Sequence, residues 1–464
     1  MRIQFRETSR ASISDAATVP LLRLNYDILF WIMKFLEKKD LLSFMSCSRA
    51  LLRQGTKVLL VNTREYRLHK LPDRRYWAFL DFVLADAPFR ARYLRTLCIT
   101  RANHPSAMPA RALAGVLAHA PNLTALTLHN AEELLAHAPH LGGAFRGLGQ
   151  LKLIQLRHAG RGWIGLLEQL RAPLVDAEIA LVGPDAEPAL DAACILQGCA
   201  GTLRVLALTI RGAVEHRLGP FPQLRKFIYA PSATVLGAPL LGAAFPALER
   251  LDIAFDSKIA YRVVQPRLGG GAGGGPQWRV LDYVHGSAPL LDEMGLRTRV
   301  KSLHLAYDAM DGDGVLMDVV RNNPAEKVTK YCRFEEVPRI VRAVEGAPAP
   351  VKELRLGVSI EPGMVRKLGW VLAKIAGVCS KVRLTQIQLY PAYDDEELPR
   401  AMVRGVVDLL IGSDDSPRFL QSAVHLRGLS VIQDAERGLK INWRVVRTGA
   451  RPVLELSGMS GAEF

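Results

Sequence analysis

Two hydrophobic rhythms divide the chain. From about residue 90 onward, apolar residues recur as Leu-x-x-Leu-x-Leu, at Leu94-Leu97-Ile99, Leu123-Leu126-Leu128, Leu151-Ile154-Leu156 and Leu203-Leu206-Leu208. Further copies stand at Leu224-Phe227-Tyr229, Leu248-Leu251-Ile253, Trp278-Leu281-Tyr283, Val300-Leu303-Leu305 and Val351-Leu354-Leu356. A weaker copy lies around Val328 and Tyr331, and Val382, Ile387 and Leu389 form a late one with stretched spacing. The last two apolar residues of each triplet are two positions apart, so both point to one side of a strand. Stretches between copies, such as 110–118 and 313–320, carry helical periodicity. The pattern predicts strand–helix units at intervals of roughly 20 to 33 residues. One unit cannot bury its apolar face alone, so units stack and share a long core. Pro121-Asn122-Leu123, Pro222-Gln223-Leu224 and Pro246-Ala247-Leu248 mark the starts of three strands.

The second rhythm precedes the repeats. Asn25 is suited to cap a helix, and Asp27 suits the positive end of its dipole. Ile28, Leu29, Ile32, Met33 and Leu36 then follow at helical spacing. Asp40 reads as a second N-cap, ahead of Leu41, Leu42, Phe44 and Met45. So short a segment cannot enclose its own core, and it needs either a partner or the rest of the chain.

Both patterns resemble known families. Leu24-Asn25-Tyr26-Asp27-Ile28-Leu29, then Ile32, Leu36, Asp40-Leu41-Leu42, Cys47 and Arg49, resemble an F-box, with Asn25 where that family has Pro. The triplets resemble leucine-rich repeats, although the family's Asn or Cys ladder is largely missing and Ala131 stands where Asn is expected after Leu128. The resemblances imply an α/β fold: a helical F-box followed by a leucine-rich-repeat-like solenoid, with parallel strands on the concave face and helices outside. The expected organisation is a disordered tail over 1–19, the F-box over 20–60, a helical linker over 61–92 and the solenoid over 93–464. A glycine-rich loop at 269–275 interrupts the solenoid.

The implied function is that of a substrate-recognition subunit of a Skp–cullin–F-box type ubiquitin ligase. Leu24, Ile28, Leu29, Ile32, Leu36, Leu41 and Leu42 would dock on the Skp adaptor, and through it on a cullin. The solenoid would hold an unidentified target protein. On the residues alone, the two helices could equally close the first repeat of a non-catalytic binding scaffold, and the sequence leaves both readings open.

Charge refines the second surface. The net charge is +15, which raises the question of an acidic partner. The outward strand positions, assuming the register above, include Lys226, Arg250, Asp252, Asp282, His304, Glu353 and Arg355. Both signs alternate there, which weighs against a nucleic-acid groove and suits another protein. The clusters of Arg64, Arg67, Lys70, Arg74 and Arg75 and of Arg90, Arg92 and Arg95 read as the solvated face of linker helices.

Composition excludes little more. With 49% hydrophobic and 23% charged residues the chain falls in the globular range. No apolar run nears the roughly 20 residues needed to cross a bilayer, and the first twenty residues lack the apolar centre of a secretory signal. Six cysteines without a C-x-x-C pair fit reduced thiols in a cytoplasmic or nuclear protein.

Motifs for chemistry fail on inspection. The glycine run matches G-x-G-x-x-G only because any such tract does, and Pro276 follows it. Asp311-Gly312-Asp313-Gly314 resembles part of a calcium loop, but Ala309 and Val320 occupy its first and twelfth ligand positions. His129, Glu133, His137 and His140 cannot share one face, because Pro139 breaks the helix. No catalytic residue, metal or cofactor is expected.

Overall fold

The computed structural model describes residues 25–61, 73–99, 107–182, 190–191, 195–211, 214–215, 219–231, 236–253, 278–306, 313–361, 364, 368–379, 382–391, 402, 426–434, 439–448 and 451–460. Two compact units emerge, Met1–Leu224 and Arg225–Phe464. Leu24 and the glycine run at 269–275 lie outside the described residues.

The first unit opens with a helical cluster, α1 (Tyr26–Phe35), α2 (Lys38–Ser46) and α3 (Arg49–Val61). The Asn25 side chain accepts from the backbone N–H of Asp27 at 3.1 Å, the cap its residue type favours. Asp40 is not the second cap. Helix α2 already begins at Lys38, so Asp40 lies in its first turn and its charge faces the positive end of the dipole. Leu29, Met33, Leu41, Met45, Leu51, Val58 and Leu59 form the cluster's core. A Cβ at Gly55 would meet the Met45 side chain at 2.2 Å, so only glycine lets α3 approach so closely.

After α4 (Asp73–Leu84) and α5 (Ala87–Arg90) the repeats begin. Strand β1 (Thr96–Ile99) leads through α6 (Ala107–Ala118) to β2 (Ala125–Leu128), and through α7 (Ala131–His137) and α8 (Leu141–Arg146) to β3 (Leu153–Ala159). Helix α9 (Arg161–Gln169) then leads to β4 (Asp176–Val182), followed by β5 (Leu190–Asp191), β6 (Val205–Arg211) and β7 (Val214–Glu215). β1, β2, β3, β4 and β6 pair in that order, all parallel, while β5 and β7 form a small parallel ladder apart.

The second unit repeats the scheme. Strands β8 (Lys226–Pro231), β9 (Arg250–Ile253), β10 (Val280–Gly286), β11 (Arg299–Leu305), β12 (Ala325–Arg333), β13 (Glu353–Ile360), β14 (Leu384–Pro391) and β15 (Gly428–Asp434) are parallel neighbours in chain order. Helices α10 (Ala238–Ala244), α11 (Ala288–Glu293), α12 (Asp313–Asn322), α13 (Val337–Glu345) and α14 (Leu368–Val378) lie between them in sequence. β16 (Leu439–Thr448) and β17 (Arg451–Ser460) close the sheet antiparallel, because their connections are too short for a crossover. Sequential parallel strands with same-handed crossovers keep the helices on one face of each sheet and leave the other open. This is the expected leucine-rich-repeat-like architecture.

The strand register corrects several details. Leu97, Leu126, Ile154, Ala177 and Leu206 align in one row, and Ile99, Leu128, Leu156, Ile179 and Leu208 in the next. Leu174-Ala177-Ile179 is therefore a copy that the leucine pattern passed over, since Ala177 carries too little apolar bulk to signal. Pairing of Leu281 with Val300 and of Val284 with Leu303 makes Leu281-Val284-Gly286 the inward triplet of β10. Tyr283 thus turns to the open face. On β12 the inward triplet is Ala325-Val328-Lys330, not one including Tyr331. Lys330 is fully buried there and its Nζ donates to the Ala306 carbonyl at 2.8 Å. The late copy carries buried Leu384, Ile387 and Leu389, with a register shift where β13 meets it. Buried Leu426 and Leu429 begin a further copy at β15.

Repeats are also tied by polar groups in place of the missing ladder. The Glu132 carboxylate accepts from the N–H groups of Gly160 and Gly162 at 2.8 and 3.1 Å, and so caps α9 from the preceding repeat. A Cβ at Gly160 would lie 2.8 Å from that carboxyl carbon, which explains the glycine. Glu132→Ala is expected to cost about 1–2 kcal/mol through loss of this cap, read as a lower unfolding midpoint in urea.

Candidate functional site

Two surfaces stand out. The first is the outer side of α1, where Ile28, Trp31, Ile32 and Phe35 are all exposed. Their spacing of three and four places them on one face of the helix. Trp31 is 57% and Phe35 81% exposed, their rings stack at 6.3 Å, and the Lys34 ammonium sits 4.7 Å from the Trp31 ring. The opposite side of α1 carries Leu29 and Met33 into the core. A helix with apolar residues on two opposite sides suits a place between two bodies, and among the described residues only one side of α1 is covered.

The residues expected to dock on an adaptor therefore divide. Ile28, Ile32 and, on α2, Leu42 are exposed. Leu29 and Leu41 are core residues, and Leu36 is partly buried against the same core, so these three hold the helices in place. Trp31 and Phe35 were missed by sequence reasoning, although their offsets of three and seven from Ile28 carried the signal.

Of the linker cations, Arg64, Arg67 and Lys70 lie outside the described residues, while Arg90 and Arg92 pack on aromatic rings. The Arg90 guanidinium lies over the Phe82 ring at 4.2 Å and bonds the Phe82 carbonyl. Arg92 stacks on Phe89 and Tyr93 and donates to the Tyr93 hydroxyl at 2.8 Å.

The second surface is the open face of the second unit's sheet. One row across the strands reads Lys226, Arg250, Tyr283, Ser302, Lys327, Glu353, and the next reads Ile228, Asp252, His285, His304, Thr329, Arg355. All the outward residues read from sequence fall in these rows except Asp282. That residue sits at the start of β10, in an ion pair with Lys301 at 2.7 Å. Tyr283, His285 and Lys327 join the face, the first because of the corrected register.

Its centre is closely ordered. The Arg250 guanidinium lies over the Tyr283 ring at 4.1 Å, and Tyr283 packs on His304 at 4.7 Å. The His285 Nδ1 is 2.7 Å from Asp252. Farther along, Gly357 leaves room for the Tyr331 and Tyr390 rings to meet edge-on at 5.4 Å, since a Cβ there would lie 2.4 Å from Tyr331. Burial alone would raise the Asp252 carboxyl. The His285 hydrogen bond and the charges of His285, Arg250 and Lys226 outweigh it and hold the group below the usual range. Burial likewise opposes, and Lys327, Arg355 and Arg427 outweigh it, at Glu353. Burial, with the charges of His285 and Arg355, pushes His304 down, so it is neutral at physiological pH.

A carboxyl whose folded value is depressed stabilises the fold above its unfolded value near 4, and that contribution is lost as pH falls through the lowered value. Wild-type protein is therefore expected to melt above Glu353→Gln at pH 7, with the difference shrinking as pH falls through and below the ordinary carboxylate range. Thermal melts of the two across this range measure it.

The first unit's open face is less equipped. Thr127 donates to Gln155 at 3.3 Å, Gln155 to Glu178 at 2.7 Å, and Arg157 pairs with Glu178 at 3.3 Å, so these polar groups satisfy one another. Burial pushes the thiols of Cys98, Cys199, Cys332 and Cys379 up, that of Cys379 to about 12, and these stay protonated. Among the described residues no group of three or more His, Cys, Asp or Glu side chains could hold a metal ion. No described helix is long and apolar enough to cross a membrane.

No family model matches the chain, and no curated protein does. Among solved structures, the leucine-rich repeat-containing protein LegL7 from Legionella pneumophila is similar. It is 10% identical with a TM-score of 0.33, over 73% of this chain and 89% of that chain. A likeness at this level adds nothing to what the strand register itself shows.

Proposed function

We propose that the chain is a non-catalytic receptor with two docking surfaces, of the F-box type that the N-terminal sequence resembles. The outer face of α1 binds the Skp adaptor of a cullin ubiquitin ligase, and the open face of the second sheet binds a target protein. The single observation that supports this best is the exposed row of Ile28, Trp31, Ile32 and Phe35 on a helix whose other side is already buried. Clustered apolar and aromatic anchors on one helix face are what helix docking requires. The reading in which these helices only close the solenoid explains the contacts of α3 with the linker, but not the bare side of α1. In this function the chain does no chemistry; it raises the concentration of a target beside a ligase.

Co-purification of the full-length chain with the Skp adaptor tests the reading. A stable complex is expected on size exclusion, and its absence would leave the scaffold reading standing.

A further inference from the structure

From the open face of the second sheet we infer the chemistry of the target: an extended polypeptide segment with acidic residues at two ends and an apolar residue between them. This deepens the proposed receptor reading and rests on it only for the open face.

The two rows and the residue just before β15 contain five cations, Lys226, Arg250, Lys327, Arg355 and Arg427, against two carboxylates, Asp252 and Glu353. The two signs are not presented equally. Asp252 and Glu353 are sunk into the face, 19% and 16% exposed, whereas Arg250 is 43% and Arg427 66% exposed. Both acids are already engaged. Asp252 holds His285, and Glu353 has Lys327, Arg355 and Arg427 within 3.4 to 3.8 Å. One carboxylate cannot neutralise three cations, so the face carries surplus positive charge at that end. At the other end Arg250 has its nearest carboxylate oxygen at 4.0 Å, and its Nε finds no acceptor. Contact with the Tyr283 ring fixes the guanidinium in place, and 43% of the side chain stays exposed to a ligand.

The cations fall in two groups, on β8 and β9 and around β12 to β15, with Tyr283 and His304 on β10 and β11 between them. Neutral His304 and the tyrosine ring make the middle a less polar step. Arg250 and Arg355 stand four strands apart, about 19 Å at the usual strand spacing. An extended peptide covers that in about six residues. Acidic residues about six apart around an apolar one therefore match the face. A nucleic-acid strand, with a charge at every residue, would have to run its phosphates over Asp252 and Glu353, which disfavours it.

Fluorescence anisotropy of the full-length chain tests this with a labelled twelve-residue peptide. It carries Glu-Glu pairs about six residues apart around one Leu. Comparison probes are the same peptide with Gln for Glu, and a single-stranded oligonucleotide of the same length. The acidic peptide is expected to bind, to weaken as salt rises, and to lose about tenfold or more in affinity to Arg250→Gln with Arg355→Gln. The two side chains are 43% and 45% exposed and lie outside the core, so the variant should stay folded, which circular dichroism checks. Equal binding of the Gln peptide, no effect of the double variant, or no binding at all would overturn the inference. Tighter binding of the oligonucleotide, lost in the same variant, would overturn it in favour of nucleic acid. Failure with adaptor capture intact would fall on this inference alone, while peptide binding without adaptor capture would fall on the receptor reading.

Discussion

Ile28→Asp combined with Trp31→Asp is expected to weaken adaptor binding by about 100-fold or more, while helical content and melting temperature stay unchanged. Both side chains are exposed on α1 and make no part of the cluster's core. Charging them therefore costs the free protein little. In a complex each Asp would have to lose its water within an apolar contact, a cost of several kcal/mol per group unless it finds a partner. A 100-fold loss corresponds to about 2.7 kcal/mol, within the range of a single anchoring residue at a helix interface. Leu29→Asp provides the contrast. Leu29 is buried with Met33, Leu41 and Met45, so its replacement should unfold the cluster and abolish binding for a different reason. Circular dichroism and calorimetric titration of the two variants separate the cases.

Trp163→Ala carries the largest expected effect on the fold, a loss of about 3–5 kcal/mol. Trp163 is fully buried on α9 and packs edge-on against Phe145 of α8, with ring centroids 5.1 Å apart. Its indole Nε1 donates to the Ala131 carbonyl at 2.6 Å, at the start of α7. The substitution opens a cavity between two repeats and removes the indole hydrogen bond that links them. Trp163→Phe should recover much of the packing but not the hydrogen bond, and so fall between the two in urea unfolding. An effect below about 1 kcal/mol for Trp163→Ala would mean that the repeats are not coupled through this residue.

How far the sequence could be read depended on side-chain bulk. Leucine triplets located most strands, because the register rows consist of those same residues. Leu174-Ala177-Ile179 was overlooked because alanine marks an inward position only once its neighbours are known. Lys330 hid a copy for the opposite reason: a lysine reads as solvent-facing, yet its ammonium finds the Ala306 carbonyl inside. The error at β10 had a larger consequence, since it took Tyr283 for a core residue and concealed the centre of the open face. The helical hairpin was legible from its cap and stripe, but a stripe does not say which apolar residues face the core. Leu29 and Ile28 are adjacent and equally apolar, and only packing against α3 assigns one inward and one outward.

Under the proposed function the chain carries a docking helix at α1 and a separate target face on the second sheet. Hydrogen–deuterium exchange of the full-length chain, with and without saturating Skp adaptor, tests it most directly. Slowed exchange within 26–46 and unchanged exchange in strands β8–β14 is the result expected of two separate surfaces. Protection confined to the strands, or no protection of α1 at all, would contradict it.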